Sequence, residues 1–180
     1  MLLVSTNRER QPYPVVPNGL ACVASALDAA GHRVRFVDLC FVKDPVASAR
    51  AAARAFRPDV IGVSVRNIDN SDAIALRHYT PEARDVLLAL RAAAPAAKVI
   101  AGGAAFGVAP EALFRDLAVD YAVAGDGERA SVALVDALCS GAPIEALPGL
   151  VRERNGAVVF TPPARMRIST RFPGPRSIAG

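Results

Sequence analysis

Pro58-Asp59-Val60-Ile61-Gly62-Val63-Ser64-Val65-Arg66-Asn67-Ile68-Asp69-Asn70 is the stretch that decides the fold. Its first half, Val60 to Val65, is rich in β-branched residues and shows no regular polar alternation. A strand buried on both faces reads this way, and such strands belong to parallel sheets covered by helices. The polar half begins abruptly at Arg66. Two other segments repeat the pattern. Gly102-Gly103 follows Val99-Ile100-Ala101, and Gly125-Asp126-Gly127-Glu128 follows Tyr121-Ala122-Val123-Ala124. Placed as neighbouring parallel strands, the three apolar runs bring the three segments to one rim. That rim is where open α/β sheets receive ligands.

The flanking sequence supplies the other elements. Met1 to Ser5 reads as a short buried strand. A loop runs to Pro17, and Asn18 is expected to cap a helix with Leu20, Val23, Ala24 and Leu27 on one stripe. Gly31 stops it. Val34 to Val37 is the second strand, with Asp38 at its end. Pro45 opens a helix presenting Val46, Ala49, Ala53 and Phe56, which Pro58-Asp59 ends. After the long polar stretch Arg66 to Thr80, Pro81 starts a helix with Ala83, Val86, Leu87, Leu90 and Ala94 on one face. Lys98 to Ala101 is a strand, Pro110 starts a helix burying Leu113, Phe114 and Leu117, and Asp120 to Ala124 is the fifth strand. Glu128 to Ser140 is a helix that ends at Gly141.

Strands alternating with helices demand right-handed crossovers and a sheet covered on both faces. The expected fold is α/β: a doubly wound, mainly parallel five-stranded sheet of flavodoxin-like or Rossmann-like order. The style then changes. Gly149 to Arg154 and Ala157 to Thr161 flank Asn155-Gly156, a strong hairpin signal. The expected organisation is an α/β domain over 1–145, a C-terminal β-hairpin appendage over 146–163, and an Arg/Pro/Gly-rich tail or linker over 164–180.

Composition narrows the function classes. The 180 residues are 52% hydrophobic and 21% charged, which suits a packed core and argues against disorder. The net charge of +4 matches Arg165, Arg167, Arg171 and Arg176, which lie in a tail without acids. The rest of the chain is neutral and lacks the clustered cations that phosphate backbones require, so nucleic acid is not an expected partner. Cys22, Cys40 and Cys139 show neither metal spacing nor a disulfide framework, as suits buried thiols in the cytoplasm. No apolar run approaches the length of a membrane span, and Leu2-Leu3-Val4 is too short for a signal peptide.

The rim residues are small, hydroxylic or rich in free backbone donors. Gly102-Gly103 removes two Cβ atoms where a ligand would approach closely. Ser64 can donate and accept a hydrogen bond. The helix entered at Gly125-Asp126-Gly127-Glu128 offers N–H groups to a phosphate or an amide oxygen. No acid–base pair or partnered nucleophile is evident, so no catalytic residue is expected. The set suits a large, flat, polar-edged molecule.

In this order, the segments resemble the cobalamin (B12)-binding domain found at the N-terminus of B12-dependent radical SAM proteins. Besides the stretches already quoted, the resemblance is carried by Pro17-Asn18-Gly19-Leu20, by Gly31-His32-Arg33-Val34, by Asp120 leading into the fifth strand, and by Pro148-Gly149-Leu150-Val151. It covers about residues 1–163. It implies a cobalamin whose nucleotide tail is detached from cobalt and threaded between the sheet and a helix. On the family's pattern, Ser64, Val65, Arg66, Gly102, Gly103 and Ala104 would contact that tail. Gly125, Asp126, Gly127 and Glu128 would edge it, and Asn7, Arg8, Asn67, Asp69 and Asn70 would lie in loops beneath the corrin.

Two departures from the family's wider pattern refine the expectation. The Asp-x-His-x-x-Gly motif, whose histidine ligates cobalt, is missing from the loop Asn7 to Gly19. His32 reads as a surface histidine at the opposite rim, and His78 lies late in the polar loop. A cobalt without a protein histidine below it follows, with the loops Asn7 to Val16 and Arg66 to Ser71 lining the corrin's lower face. The Cys-x-x-x-Cys-x-x-Cys motif that would hold an iron–sulfur cluster is also missing. The cluster and S-adenosylmethionine therefore belong to a radical SAM catalytic domain in cis or in trans, or to one that has been lost. This chain would present the cofactor to a methyltransferase-like partner without catalysis of its own. The alternatives are an interaction module that kept the fold and lost the cofactor, and a nucleotide-binding Rossmann-like domain. The second is disfavoured because Gly125-x-Gly127-x-x-Ala130 follows the fifth strand rather than the first.

Overall fold

The computed structural model describes residues 1–70 and 74–163. Five strands run parallel: β1 (Leu2–Ser5), β2 (Arg35–Asp38), β3 (Val60–Ser64), β4 (Lys98–Gly102) and β5 (Tyr121–Val123). The hairpin strands β6 (Leu150–Arg154) and β7 (Ala157–Phe160) continue the same sheet antiparallel beyond β5. The order is β2-β1-β3-β4-β5-β6-β7. The chain leaves β1 toward β2 and returns to β3 on its other side, so the winding reverses between β1 and β3. The mouth of a binding crevice is expected at such a reversal.

Alternation along the strands assigns the two faces. Leu2, Val4, Ile61, Val63, Val99, Ala101, Ala122 and Val151 face one core. This core is covered by α2 (Pro45–Phe56), α3 (Thr80–Ala93), α4 (Ala104–Val108) and α5 (Pro110–Leu117). Leu3, Val60, Ile100, Val123 and Leu150 face the other, which α1 (Asn18–Ala29) and α6 (Gly127–Ser140) cover through Leu20, Val23, Leu27, Leu134 and Val135. Burial of each such Leu or Val contributes about 1.5–3 kcal/mol, the largest favourable term in this fold. The alanines of α2, Ala49, Ala52 and Ala53, are all buried and let that helix sit close to its neighbours.

Local chemistry explains some of the helix ends. Asp44 Oδ1 accepts a hydrogen bond from Ala47 N at 2.9 Å and caps α2, with Pro45 in the first turn. Gly141 stops α6 in the left-handed region, at φ 74°. Two details differ from the sequence reading. Asn18 is the first helical residue rather than the cap; Pro17 holds the cap position, without a side-chain bond. The short helix α4 was not anticipated, because Gly107 and a run of small residues hid one buried anchor, Phe106. Among the described residues no helix is long and apolar enough to cross a membrane. The tail from 164 onward, and Ser71 in the polar loop, lie outside the described residues.

Candidate functional site

The cleft-side face changes character toward the strand ends. In register across the sheet, Leu3, Gly62 and Ile100 form one row. Two residues further along, the next row is Ser5, Ser64 and Gly102. Apolar side chains thus give way to two hydroxyls and a bare Cα on the face that α1 and α6 flank. The result is a cleft of about 550 Å³. Its floor includes Leu3, Gly62, Ile100 and Val123; its helical walls are Asn18, Gly19, Leu20 and Val23 of α1, and Gly127, Glu128 and Ser131 of α6.

The glycines are needed where they stand. Gly103 has φ 101°, and a Cβ there would meet Val65 O at 2.5 Å and the Ser64 hydroxyl at 2.9 Å. The loop after β4 therefore crosses directly over the end of β3, where Ala105 N donates to Val65 O at 3.3 Å. Gly125, at φ 101°, lies against Pro163 at the end of the hairpin. By contrast, a Cβ at Gly102 would touch only Val123 O, at 3.4 Å, so its missing side chain opens space into the cleft.

The polar groups of the cleft are largely uncommitted. Ser5 and Ser131 are buried, yet no hydrogen bond engages either hydroxyl, or that of Ser64, among the described residues. The Asn7 amide nitrogen is buried without a partner. A buried polar group left unpaired costs about 1–3 kcal/mol, which favours a site completed by a polar ligand. The α6 N-terminus adds amides without intrahelical acceptors, and Asp126 makes no capping bond to them. Arg66 is exposed at the mouth, and Asp126 and Glu128 lie on the α6 side.

Of the residues singled out by sequence, Asn7, Ser64, Arg66, Gly102, Gly103, Ala104, Gly125, Asp126, Gly127 and Glu128 all line this cleft. Five do not. Arg8 turns away, donating to Leu39 O and Val42 O at 3.1 and 2.9 Å. Val65 is buried in the opposite core. Asn67 is half-buried outside the lining. Asp69 pairs by a backbone bridge with His78, and Asn70 donates to Ala75 O at 2.9 Å and accepts from Arg77 N at 2.9 Å, so both brace their loop. His32 is bonded to Asp136 at 2.9 Å, and neither histidine lines the cleft. Sequence reasoning missed Ser5, Ser131 and the α1 wall. Leu20 and Val23 were visible only as a core stripe, and nothing local marks a lone serine in a strand or helix as lining a cleft.

A family model described as the B12 binding domain matches residues 6–135. The chain belongs to the B12-binding domain family. It is 33% identical over 156 residues to the tryptophan 2-C-methyltransferase of Streptomyces laurentii, covering 84% of this chain and 26% of that protein. An uncharacterised methyltransferase of Pyrococcus horikoshii is 26% identical over 148 residues, covering 82% and 30%. The radical S-adenosylmethionine methyltransferase TsrM of Kitasatospora setae, solved with cobalamin and a [4Fe-4S] cluster, superposes with a TM-score of 0.81 at 33% identity, over 91% of this chain and 29% of that one. The cobalamin-dependent radical enzyme OxsB, solved with aqua-cobalamin, shares the fold, with a TM-score of 0.71 at 16% identity over 91% and 22%. The chain thus spans 22–30% of the length of these relatives. It is a B12-binding module of the type found in cobalamin-dependent radical SAM enzymes.

Proposed function

We propose that the cleft receives the nucleotide tail of cobalamin, with the corrin resting on the rim above it. The observation that carries this reading is the row Ser5–Ser64–Gly102, where a buried sheet face becomes small and hydroxylic beneath an open mouth. The apolar floor suits an aromatic base, Ser64 and Ser131 offer hydrogen bonds to its ring nitrogens or ribose, and the α6 amides suit its phosphate. Gly103 and Ala104 allow close approach of the tail, and Asn7 and Arg66 sit at the mouth beneath the corrin. Bound cobalamin would supply a cobalt centre able to exchange its ligands. This chain binds it, orients it and shields its tail from water.

Because the loop Asn7 to Gly19 carries no histidine, the cobalt is expected to lack an imidazole from that loop below it. Purification with hydroxocobalamin should give a protein with corrin absorption in the visible range. Absence of bound corrin at micromolar concentrations would overturn the reading. The electron paramagnetic resonance spectrum of the Co(II) form should lack histidine nitrogen coupling.

The partner is a radical SAM catalytic domain, in cis or in trans, which would supply the iron–sulfur cluster and S-adenosylmethionine. The rim supports such docking: Tyr13, Val16, Phe41, Leu76 and Val108 are large apolar residues exposed on its loops and on α4. Residues 1–145 would hold the cofactor, followed by the hairpin over 146–163 and a tail or linker over 164–180.

A further inference from the structure

Arg8-Glu9-Arg10 divides three consecutive charges between two neighbouring loops. Arg8 donates to Leu39 O and Val42 O, and Arg10 donates from Nε and Nη2 to Cys40 O at 3.1 and 2.8 Å. Both guanidinium groups fasten the β1–α1 loop to the loop after β2, where Arg10 also stacks 5.1 Å from the Phe41 ring centroid. Glu9 turns the other way. Its Oε1 accepts from Arg10 N and Gln11 N at 2.8 and 2.7 Å, while Oε2 accepts from the Tyr79 hydroxyl. Tyr79 closes the β3–α3 loop.

That second loop is itself braced. Tyr79 N donates to Ile68 O at 2.9 Å, and Asn70 N donates to Arg77 O at 3.1 Å. The Arg77 guanidinium lies 5.5 Å from the Tyr79 ring centroid and pairs with Glu82 of α3 at 2.5 Å. One carboxylate therefore joins two loops that each carry a residue of the cleft mouth, Asn7 in one and Arg66 in the other. Neither Glu9 nor Tyr79 lines the cleft. Exposed ion pairs contribute little to stability, but a charge-assisted hydroxyl–carboxylate bond is directional and fixes relative position.

We propose that Glu9 and Tyr79 form a clasp that makes the two loops move as one unit and so positions Asn7 and Arg66 beneath the bound corrin. The positioning role rests on the cofactor reading above; the clasp itself does not. Hydrogen exchange of the 180-residue chain without cofactor tests the clasp. Tyr79→Phe removes only the hydroxyl, yet it should accelerate exchange about fivefold at the Arg10 and Gln11 amides of the opposite loop. Unchanged exchange there would overturn the clasp.

Dissociation of hydroxocobalamin tests the positioning. Tyr79→Phe and Glu9→Ala should each release it about fivefold faster, and the double variant no faster than either single one. Thermal midpoints should stay near that of the wild type. Glu9→Gln, which keeps an acceptor, should recover most of the retention. Variants that lower the thermal midpoint but release cobalamin at the wild-type rate would reduce the pair to a structural contact. A wild-type chain that takes up no hydroxocobalamin would overturn both the cofactor reading and the positioning role, while the exchange result would still decide the clasp.

Discussion

The two faces of the sheet are built from alternate residues of the same strands, yet they end differently. On the face covered by α2, α3, α4 and α5, Val63, Val65, Ala101, Ala122 and Ala124 keep the core apolar to the strand ends, and Phe106 of α4 closes it. On the face covered by α1 and α6, Ser5, Ser64, Gly102 and Gly125 take those places, and the core opens into a cleft. A shift of one residue along a strand thus separates stability from ligand binding, because a strand's period of two sends neighbours to opposite faces.

Substitutions should respect that division. Phe106→Ala, on the closed face, should cost about 3–5 kcal/mol in chemical denaturation, since it empties a fully buried ring site, while the folded fraction keeps its cobalamin affinity. Gly102→Leu, on the open face, should do the reverse. Its Cβ fits, the rest of its side chain fills the cleft, and affinity measured by absorbance titration should fall at least about 100-fold, about 2.7 kcal/mol, with stability changed by less than about 1 kcal/mol. Normal binding by Gly102→Leu would break the comparison, because the tail would have to lie elsewhere.

Smaller effects sharpen it. Asp120 sits at the far rim, accepting from Val99 N at 2.7 Å and from Arg91 at 3.2 Å. Asp120→Ala should lower denaturation stability by about 1–2 kcal/mol and leave affinity unchanged. Ser64→Ala should weaken cobalamin binding about fivefold, about 1 kcal/mol, with almost no effect on stability.

The smallest effect is a pH dependence at the clasp. The Tyr79 hydroxyl and the Gln11 and Arg10 amides hold the Glu9 carboxyl below its ordinary value of 4.5. A depressed carboxyl stabilises the fold above that value and loses its contribution as pH falls through its own lower one. The wild-type thermal midpoint should therefore fall slightly more than that of Glu9→Gln below pH 4.5. Tyr79, pushed up to about 12 by burial and by its bond to Glu9, behaves oppositely. Its contribution is present below pH 10 and is lost as pH rises through about 12.

Much of this was legible in the sequence. Val60 to Val65 read as a buried parallel strand, and the glycines after β4 and β5 pointed to a rim because small residues there leave room for a ligand. The α1 wall was hidden because Leu20 and Val23 obey the same 3.6-residue period whether they touch core or cleft. Arg8 misled for a related reason. A guanidinium at a rim reads as a ligand group, but three neighbouring carbonyls of the β2 loop, at Leu39, Cys40 and Val42, gave Arg8 and Arg10 structural acceptors that no local pattern reveals. Ser5 and Ser131 acquire meaning only when the sheet and α6 bring them to the same cleft.

The hairpin has a consequence of parity. After α6 the chain climbs back so that Leu150 opens β6 beside Val123 at the rim, and that strand alone would carry it away to the bottom of the sheet. The pair β6 and β7 goes down and comes back, so an even count returns the backbone to its starting level. Thr161 N donates to Leu150 O at 2.8 Å, and Pro163 arrives beside Gly125. The end of the hairpin thus stands at the doorway of the cleft, where Pro163 limits what can replace Gly125.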